Sequence, residues 1–253
     1  MVRFAASQSL GKRLGQEDSY GLLEGGEAGW QCFVVADGMG GHVGGSIASQ
    51  IAVDAIRDLF GEGSMDRQEF LELCVTRANS AIARSLQDAE SLKGMGTTLL
   101  VVLVEGGSFY WVSVGDSPLF GLAADRKLYR LNQDHSMKPV LDSMVASGDL
   151  DEHSDEYQKS KNMLRSALTG GEVPLIDLAI SGLELDSFAV VALASDGIDS
   201  LPHDELARIM NGGIALARLP LSLIDEIDGL ANPKQDNTTI VVLQGGDRES
   251  RNG

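Results

Sequence analysis

Several short apolar segments of this chain end directly on an aspartate, and this recurrence restricts the fold more than any other feature of the sequence. Residues 33–36 run into Asp37, and residues 190–194 run through one serine into Asp196. Asp236 precedes another β-branched, apolar run. Short runs of this kind are typical of buried strands. We therefore expect the three aspartates to lie at strand ends, where their side chains reach a common cleft.

The acidic residues near strand and loop ends predict a cation site. No cluster of His or Cys accompanies them, which favours magnesium, manganese or calcium over zinc. A single Asp-Gly pair is most often a turn, but several at strand ends favour a site. The closely spaced ligands of a calcium loop are absent, so a catalytic two-metal centre is the better interpretation. The candidates are Glu17, Asp18, Asp37, Asp116, Asp196, Asp199 and Asp236.

The charge of the chain excludes several classes of partner. It has 37 acidic and 20 basic residues and a formal net charge of −17, so we expect it to repel nucleic acid and anionic membranes. Its two cysteines, Cys32 and Cys74, form neither a disulfide framework nor a zinc-binding spacing. The sequence has neither a signal-peptide pattern nor an apolar run of the roughly 20 residues that span a membrane. We expect a cytoplasmic protein.

Hydrophobic periodicity predicts a layered α+β fold with strands between helices. A helix over 47–60 is followed by a second one, capped by Ser64 or Asp66, that runs to about residue 88. Glycine pairs at 25–26 and 106–107 mark turns between strands. The predicted strands cover 2–8, 30–36, 97–104, 108–114, 118–122, 127–131, 174–180, 187–194 and 238–243, and later helices cover about 203–210 and 214–230.

Residues 134–170 form a polar segment with weak core signals and two short helical patterns, at 140–146 and 152–159. Two interpretations remain open, a lid over a site and a solvated helical insertion. We expect residues 1–244 to form a single domain that includes this flap, and residues 245–253 to be a disordered tail.

Six motifs in order make the chain resemble the type 2C metal-dependent protein phosphatases of bacterial type. The resemblance covers about residues 5–243. It implies a β-sandwich of two antiparallel sheets flanked by antiparallel helix pairs, in four α-β-β-α layers. It also implies hydrolysis of phosphoserine and phosphothreonine in a protein substrate, reversing a Ser/Thr kinase, by a monomer. The motifs are RLGQED at 13–18, DGMGGH at 37–42, GTT at 96–98, GDS at 115–117, SDG at 195–197 and QDNT at 235–238.

The resemblance also implies roles for individual residues. Two manganese or magnesium ions would share a water that attacks phosphorus, and Arg13 would bind the phosphate through its guanidinium. Arg13 and Asp37 are the expected catalytic residues, with Asp37 bridging both ions. The expected ligands are Asp37, Asp196 and Asp236 for the first ion and Asp37, Glu17 and the carbonyl of Gly38 for the second, supported by Asp18 and Asn237.

Two departures from the family pattern affect the chemistry. Met39 stands where some members carry a histidine that is a proposed general acid, and Met cannot donate a proton. His42 lies close by, but a hydrogen-bonding loop role suits it better, which leaves a metal-bound water as proton donor. Asp199 stands one residue before the usual position of a third-metal ligand, which Ser200 occupies. We therefore expect a weakly held third ion at Asp116 and Asp196, with Asp199 as a further candidate ligand. The segment 162–168 resembles the strand that re-enters the core.

Two functions from different classes fit this pattern. One is an active Ser/Thr protein phosphatase, and the other is a phosphatase-like binding module that has lost catalysis. The full set of expected metal ligands, together with Arg13, favours the enzyme.

Overall fold

Two antiparallel sheets form the centre of the fold. The computed structural model describes residues 1–25, 29–63, 65–88 and 92–245, without the side chains of His42 and Asp88. The five-stranded sheet has the order β1 (Arg3–Ser9), β11 (Thr238–Gln244), β10 (Phe188–Ala194), β7 (Leu119–Ala123) and β8 (Leu128–Arg130). The second sheet has the order β2 (Asp18–Glu24), β3 (Gln31–Met39), β5 (Leu99–Glu105), β6 (Ser108–Val114) and β9 (Asp177–Glu184), and the short β4 (Gly96–Thr97) extends the pairing of β3.

Strand β3 is apolar on both faces because both faces are buried. Phe33 and Val35 pack against the five-stranded sheet, whereas Cys32, Val34 and Ala36 point to the helical layer on the other side. Side chains alternate across a strand with a period of two. A strand between two apolar layers therefore needs an unbroken apolar sequence. This requirement explains why residues 33–36 could be predicted as a buried strand.

Helices cover the outer face of each sheet, so the expected four-layer α-β-β-α sandwich is confirmed. Helices α1 (His42–Glu62) and α2 (Arg67–Asp88) pack on the six-stranded sheet. Helices α5 (His203–Met210) and α6 (Leu219–Gly229) pack on the other sheet. None of the helices in the described part of the chain is long and apolar enough to cross a membrane.

The segment 134–170 contains α3 (Lys138–Ser147) and α4 (Asp155–Ser160). The two helices are joined by a hydrogen bond of 2.5 Å from the Tyr157 hydroxyl to the Asp142 carboxylate. Residues 162–168 are not a strand as expected. They form two isolated bridges, Ser136 with Leu164 and Thr97 with Leu168, and no continuous ladder of hydrogen bonds joins these two points.

Three further element predictions need correction. Strand β2 was missed because its polar and glycine positions interrupt the apolar run, and its buried and exposed residues do not alternate. Helix α1 begins five residues before the predicted start at 47, since its first turn lacks buried apolar residues and Val43 is exposed. The helix expected over 214–230 is a 3₁₀ turn at Leu216–Arg218 followed by α6. The expected turn at Gly26, the cap at Ser64 and the tail from 246 to 253 lie outside the described residues.

Candidate active site

Asp37 lies where β3 leaves the sheet, and the backbone on both sides of it is fixed by threonines. Its amide donates to Thr98 Oγ1 at 2.9 Å, and its carbonyl accepts from the Thr98 amide at 2.9 Å and from Thr97 Oγ1 at 3.0 Å. Thr98 Oγ1 also lies 2.7 Å from Ser117 Oγ. Thr98 thus joins the Asp37 turn to the loop that carries Asp116, a role that the sequence motif at 96–98 did not reveal.

Glu17 is brought to the same place by close packing against the first turn of α1. The Gly38 amide donates to the Glu17 carbonyl at 3.1 Å, and Ser49 Oγ donates to the same carbonyl at 2.6 Å. A Cβ at Gly45 would lie 2.2 Å from Glu17 Oε2, and one at Gly38 would lie 2.1 Å from the Gly45 carbonyl oxygen. Only glycine at both positions allows this approach, which directs the Glu17 carboxylate to the end of β3.

Asn237 ties the loop at residues 10–17 to β11. Its Oδ1 accepts from the Glu17 amide at 2.8 Å, and its Nδ2 donates to the carbonyls of Leu10 and Gly15 at 2.9 and 3.2 Å. The side chain is buried. Asn237 therefore positions the backbone of Glu17, a candidate ligand, and its supporting role at a metal site stays a prediction.

Asp18 is a buried carboxylate held by partners from two other strands. Its Oδ2 accepts from Ser195 Oγ and Thr239 Oγ1, both at 2.7 Å, whereas its Oδ1 is buried without a hydrogen-bond donor among the described residues. Asp18 pairs with Asp37 in the β2–β3 register. Burial raises its pKa to about 6 against the opposing effect of the two hydroxyls. Ser195 and Thr239 were missed in the sequence because no local pattern marks their contact with Asp18.

Asp196 and Asp236 complete the group of carboxylates around Asp37. Asp196 follows β10 after one residue, Ser195, and its Oδ1 is buried without a described donor. Asp236 precedes β11, accepts from the Asn237 amide at 2.8 Å through Oδ1, and accepts a short hydrogen bond from Arg13 Nη2 through Oδ2. The hydrogen bond between Arg13 and Asp236 makes the largest contribution to the raised pKa of Arg13. Arg13 and Asp236 therefore meet in the cleft, a contact that the sequence analysis did not predict.

The carboxylates repel one another across a short distance. Burial raises the pKa of Asp37 well above its usual value, and the charges of Asp196, Asp18 and Asp116 raise it further. Burial followed by the charge of Asp116 raises the pKa of Asp196 to about 8. Carboxyl groups in this state take up protons unless a positive charge lies among them. The arrangement is thus destabilised as a set of anions and is suited to bind cations.

These side chains line one cleft of about 920 Å³. The flap supplies its opposite wall through residues 162–167 and Thr169. The flap segment therefore borders the site, while its movement as a lid stays a prediction. Besides Arg13, the cleft lining includes residues in strands or within two residues of one, namely Glu17, Asp37, Gly38, Met39, Thr98, Asp116, Asp196, Asp236 and Asn237.

The donor set fits divalent cations that prefer oxygen. Two buried carboxylate oxygens, on Asp18 and Asp196, have no described donor, and burying such atoms is costly unless a partner is supplied. Within the described ranges, no three His, Cys, Asp or Glu side chains already surround one point as metal ligands. The contact of Asp236 with Arg13 shows why, because an oxygen expected on a cation is bonded to a guanidinium instead.

The departures noted in the sequence have different outcomes. Met39, the last residue of β3, lines the cleft. The side chain of His42 lies outside the described residues. Asp199 lies in the 3₁₀ turn Asp196–Ser200 but is not among the described residues that line the cleft. Its strongest charged neighbour is Arg130, a residue to which the sequence interpretation gave no role.

Comparison with known proteins agrees with this geometry. The family model described as "Protein phosphatase 2C" matches residues 10–212. The serine/threonine protein phosphatase PstP of Mycobacterium tuberculosis is 31% identical over 207 residues, which are 81% of this chain and 38% of that protein. The chain thus spans well under half the length of that relative. A putative protein phosphatase 2C-type of Streptococcus pyogenes is 31% identical over 219 residues, 83% of this chain and 84% of that protein.

A solved structure extends the likeness to three dimensions. It is the catalytic domain of the serine threonine protein phosphatase PstP in complex with two manganese ions. The TM-score is 0.75 at 28% identity, covering 97% of this chain and 99% of that one. That structure holds two manganese ions in a fold that matches nearly all of this chain.

Proposed function

Since this chain belongs to the protein phosphatase 2C family, we propose that it is a metal-dependent protein phosphatase that hydrolyses phosphoserine and phosphothreonine. The observation that carries the proposal is the group of buried carboxylates around Asp37, which lines the same cleft as Arg13. Anionic ligands for cations and a guanidinium for phosphate oxygens are the two requirements of phosphate ester hydrolysis by metal ions.

Two divalent cations, manganese or magnesium, are the proposed cofactors. Asp37 would contact both, Asp196 and Asp236 would contact one, and Glu17 and the Gly38 carbonyl would contact the other. When bound, the cations supply charge stabilisation and an activated water for attack on phosphorus. The buried oxygens of Asp18 and Asp196 without a described donor support this assignment. We do not extend the proposal to a third ion, because Asp199 lies outside the described cleft lining.

In this proposal, Arg13 contacts Asp236 before the metal binds and contacts the phosphate when the substrate binds. In the structure its guanidinium bonds to Asp236 Oδ2, and its side chain is 46% exposed on the cleft. A cation that engages Asp236 would replace this contact and release the guanidinium. The released fork of donors suits the non-bridging oxygens of a phosphate monoester. Arg13 would thereby connect metal loading to substrate binding.

The proposal extends to a phosphorylated protein as substrate and to a Ser/Thr kinase as the opposing enzyme. The formal charge of −17 argues against nucleic acid or an anionic membrane surface as a partner. We also propose that the chain acts as a monomer in the cytoplasm. The flap wall of the cleft, with Arg165 and the exposed Met163, is the surface expected to meet the polypeptide around the phosphorylated residue.

The test is phosphate release from a phosphothreonine peptide by metal-stripped protein, with and without added manganese. We expect turnover that depends on manganese and that is lost in Asp37→Asn. The matched control is Asp54→Asn, an exposed carboxylate on α1 that pairs with Arg57 away from the cleft. This control should keep wild-type turnover. Binding of the phosphopeptide without manganese-dependent phosphate release would favour the non-catalytic binding module instead.

A further inference from the structure

A network of buried hydrogen bonds joins the two sheets beside the cleft. Asp18 begins β2 in the six-stranded sheet, Thr239 lies on β11 in the five-stranded sheet, and Ser195 follows β10 of that same sheet. Thr239 Oγ1 and Ser195 Oγ both donate to Asp18 Oδ2 at 2.7 Å. All three residues are buried. Two hydroxyls from one side of the sandwich therefore hold a single carboxylate oxygen from the other side.

Further donors fix the direction of these hydrogen bonds. The Thr239 amide donates to Ser195 Oγ at 2.9 Å, and Gln8 Nε2 on β1 donates to Thr239 Oγ1 at 2.9 Å. Gln8 Nε2 also donates to the Asp18 carbonyl at 3.1 Å, which identifies that atom as the amide nitrogen. A hydroxyl group has one proton to donate. Since each hydroxyl already accepts a hydrogen bond, its own proton is directed at Asp18 Oδ2.

The network leaves the second carboxylate oxygen of Asp18 open. Asp18 Oδ1 is buried and has no donor among the described residues. Asp18 follows the proposed ligand Glu17 and is the register partner of Asp37 on β3. A buried carboxylate oxygen is costly unless a donor or a cation satisfies it. The two hydroxyls thus orient the carboxylate, with Oδ2 engaged and Oδ1 available next to the cation centre.

The same residues adjoin proposed cation ligands from both sheets. Ser195 directly precedes Asp196, and its amide donates to the Thr239 carbonyl at 3.0 Å. Asp18 is paired with Asp37 in the opposite sheet. The contacts of Asp18 with Ser195 and Thr239 therefore link the backbone that carries Asp37 to the backbone that carries Asp196.

We propose that Ser195 and Thr239 are positioning residues that act on the cation centre through the Asp18 carboxylate. The inference rests on the proposed two-ion centre and assigns two residues that support it from outside the described cleft lining. Their hydroxyls orient Asp18 and hold the acidic ends of the two sheets together. Partners that orient metal ligands in this way affect metal affinity or activity by about 10–100-fold.

The test is the manganese affinity of the metal-stripped protein, measured by calorimetric titration. Thr239→Val removes the hydroxyl and keeps the shape of the side chain, and we expect at least about tenfold weaker binding. Thr239→Ser keeps the hydroxyl and should bind manganese like the wild type. The control Ser108→Ala removes a hydroxyl that donates to the Glu184 carboxylate at 2.9 Å, outside the described cleft lining, and should also bind like the wild type.

A double-mutant cycle distinguishes action through Asp18 from a general effect on packing. In an Asp18→Ala background the Thr239 hydroxyl has no carboxylate to orient. Thr239→Val should therefore leave the manganese affinity of that background unchanged. Urea unfolding of each metal-stripped variant measures whether it is folded before the titration.

Wild-type affinity in a folded Thr239→Val would overturn the inference, as would equal losses in Thr239→Val and Thr239→Ser. A loss of the same size in the Asp18→Ala background would overturn it too, because the hydroxyl would then act independently of Asp18. If Asp18→Ala does not fold, the comparison of Thr239→Val with Thr239→Ser decides, and if Thr239→Val does not fold, Ser195→Ala takes its place. A wild type that binds no manganese contradicts the proposed two-ion centre itself, whereas the other outcomes contradict only the role of the two hydroxyls.

Discussion

Two groups of carboxylates lie side by side in this molecule, and their charges are balanced in different ways. The cleft group consists of Asp18, Asp37, Asp196 and Asp236, and the outer group consists of Asp134 and Asp199 together with Asp116, which also lines the cleft. In the outer group, Arg130 contacts Asp134 and the Asp116 backbone. In the cleft group, Arg13 forms an ion pair with Asp236, while oxygens of Asp18 and Asp196 have no described donor.

The difference shows how one cluster of carboxylates in a fold can remain available to cations while an arginine side chain partly balances the charge of another. In the outer group, Arg130 opposes the burial that raises the pKa of Asp116 and of Asp199, so it balances part of the charge of these carboxylates. The cleft group keeps raised pKa values at Asp37 and Asp196, which reflect burial and mutual repulsion. A cation is attracted to the cleft group, whereas at the outer group it meets the competing positive charge of Arg130.

The largest expected effect separates the two groups by activity. Asp236→Asn should lower manganese-dependent kcat/KM by more than about a hundredfold, since even indirect supports of metal ligands are worth roughly 10–100-fold. Asp199→Asn should change it by less than about threefold, because its carboxylate lies beside Arg130. The measurement is phosphopeptide turnover at saturating manganese. Similar losses in both variants would break the comparison.

A smaller effect concerns the cation of the cleft group. Arg13→Ala should raise KM for a phosphopeptide about tenfold, the loss of roughly one charged hydrogen bond to phosphate. Manganese affinity should stay the same or rise slightly, because Arg13 no longer competes for Asp236 Oδ2. Steady-state kinetics and calorimetric titration measure the two quantities. A strong loss of manganese affinity would mean that Arg13 holds the ligand in place instead.

The smallest effect is on the stability of the metal-free protein. The folded-state pKa of Asp196 is raised from 3.8 to about 8. The metal-free fold therefore loses stability as pH rises from about 4 through 8, where the unfolded chain is already ionised. Asp196→Asn should raise the free energy of unfolding at pH 8 by at least about 1 kcal/mol, the value of a one-unit pKa difference.

Urea unfolding at pH 5 and pH 8 in the presence of a chelator measures this gain, which should shrink at the lower pH. With manganese present, the wild type should have the larger free energy of unfolding, because the ion stabilises the wild type more than it stabilises Asp196→Asn. Asp199→Asn should show no comparable gain at pH 8, since Arg130 already opposes the charge of Asp199. Equal gains in the two variants would show that the groups do not differ in their balance of charge.

The sequence was most informative where a local pattern decides the structure. Strand β6 has the predicted bounds, since its apolar run follows the tight turn at Gly106 and Gly107. The aspartates near the ends of β3 and β10 were also located, because a charged side chain beside an unbroken apolar run needs water or a ligand.

The contacts that set the charge of the site could not be predicted in the same way. Thr239 bonds Asp18 across 221 positions of the chain, and Arg130 reaches the Asp116 backbone only because β8 pairs with β7 beside it. Such contacts depend on strand order, which the hydrophobic pattern leaves undetermined. The polar strand β2 was missed for a related reason, since pairing with β3 rather than apolar periodicity holds it in the sheet.

Arg3 and Gln244 are direct partners in the β1–β11 register, and their side chains bond at 2.8 Å. The first and last strands of the sandwich are neighbours, about 5 Å apart, and Ser9 and Thr238, at their other ends, lie next to the loops that carry Arg13 and Asp236. A circularly permuted chain is therefore feasible, with a short linker joining the two ends and new termini at the turn of Gly106 and Gly107. Such a permutant would keep every cleft residue on its original strand while reversing which half of the domain emerges first from the ribosome.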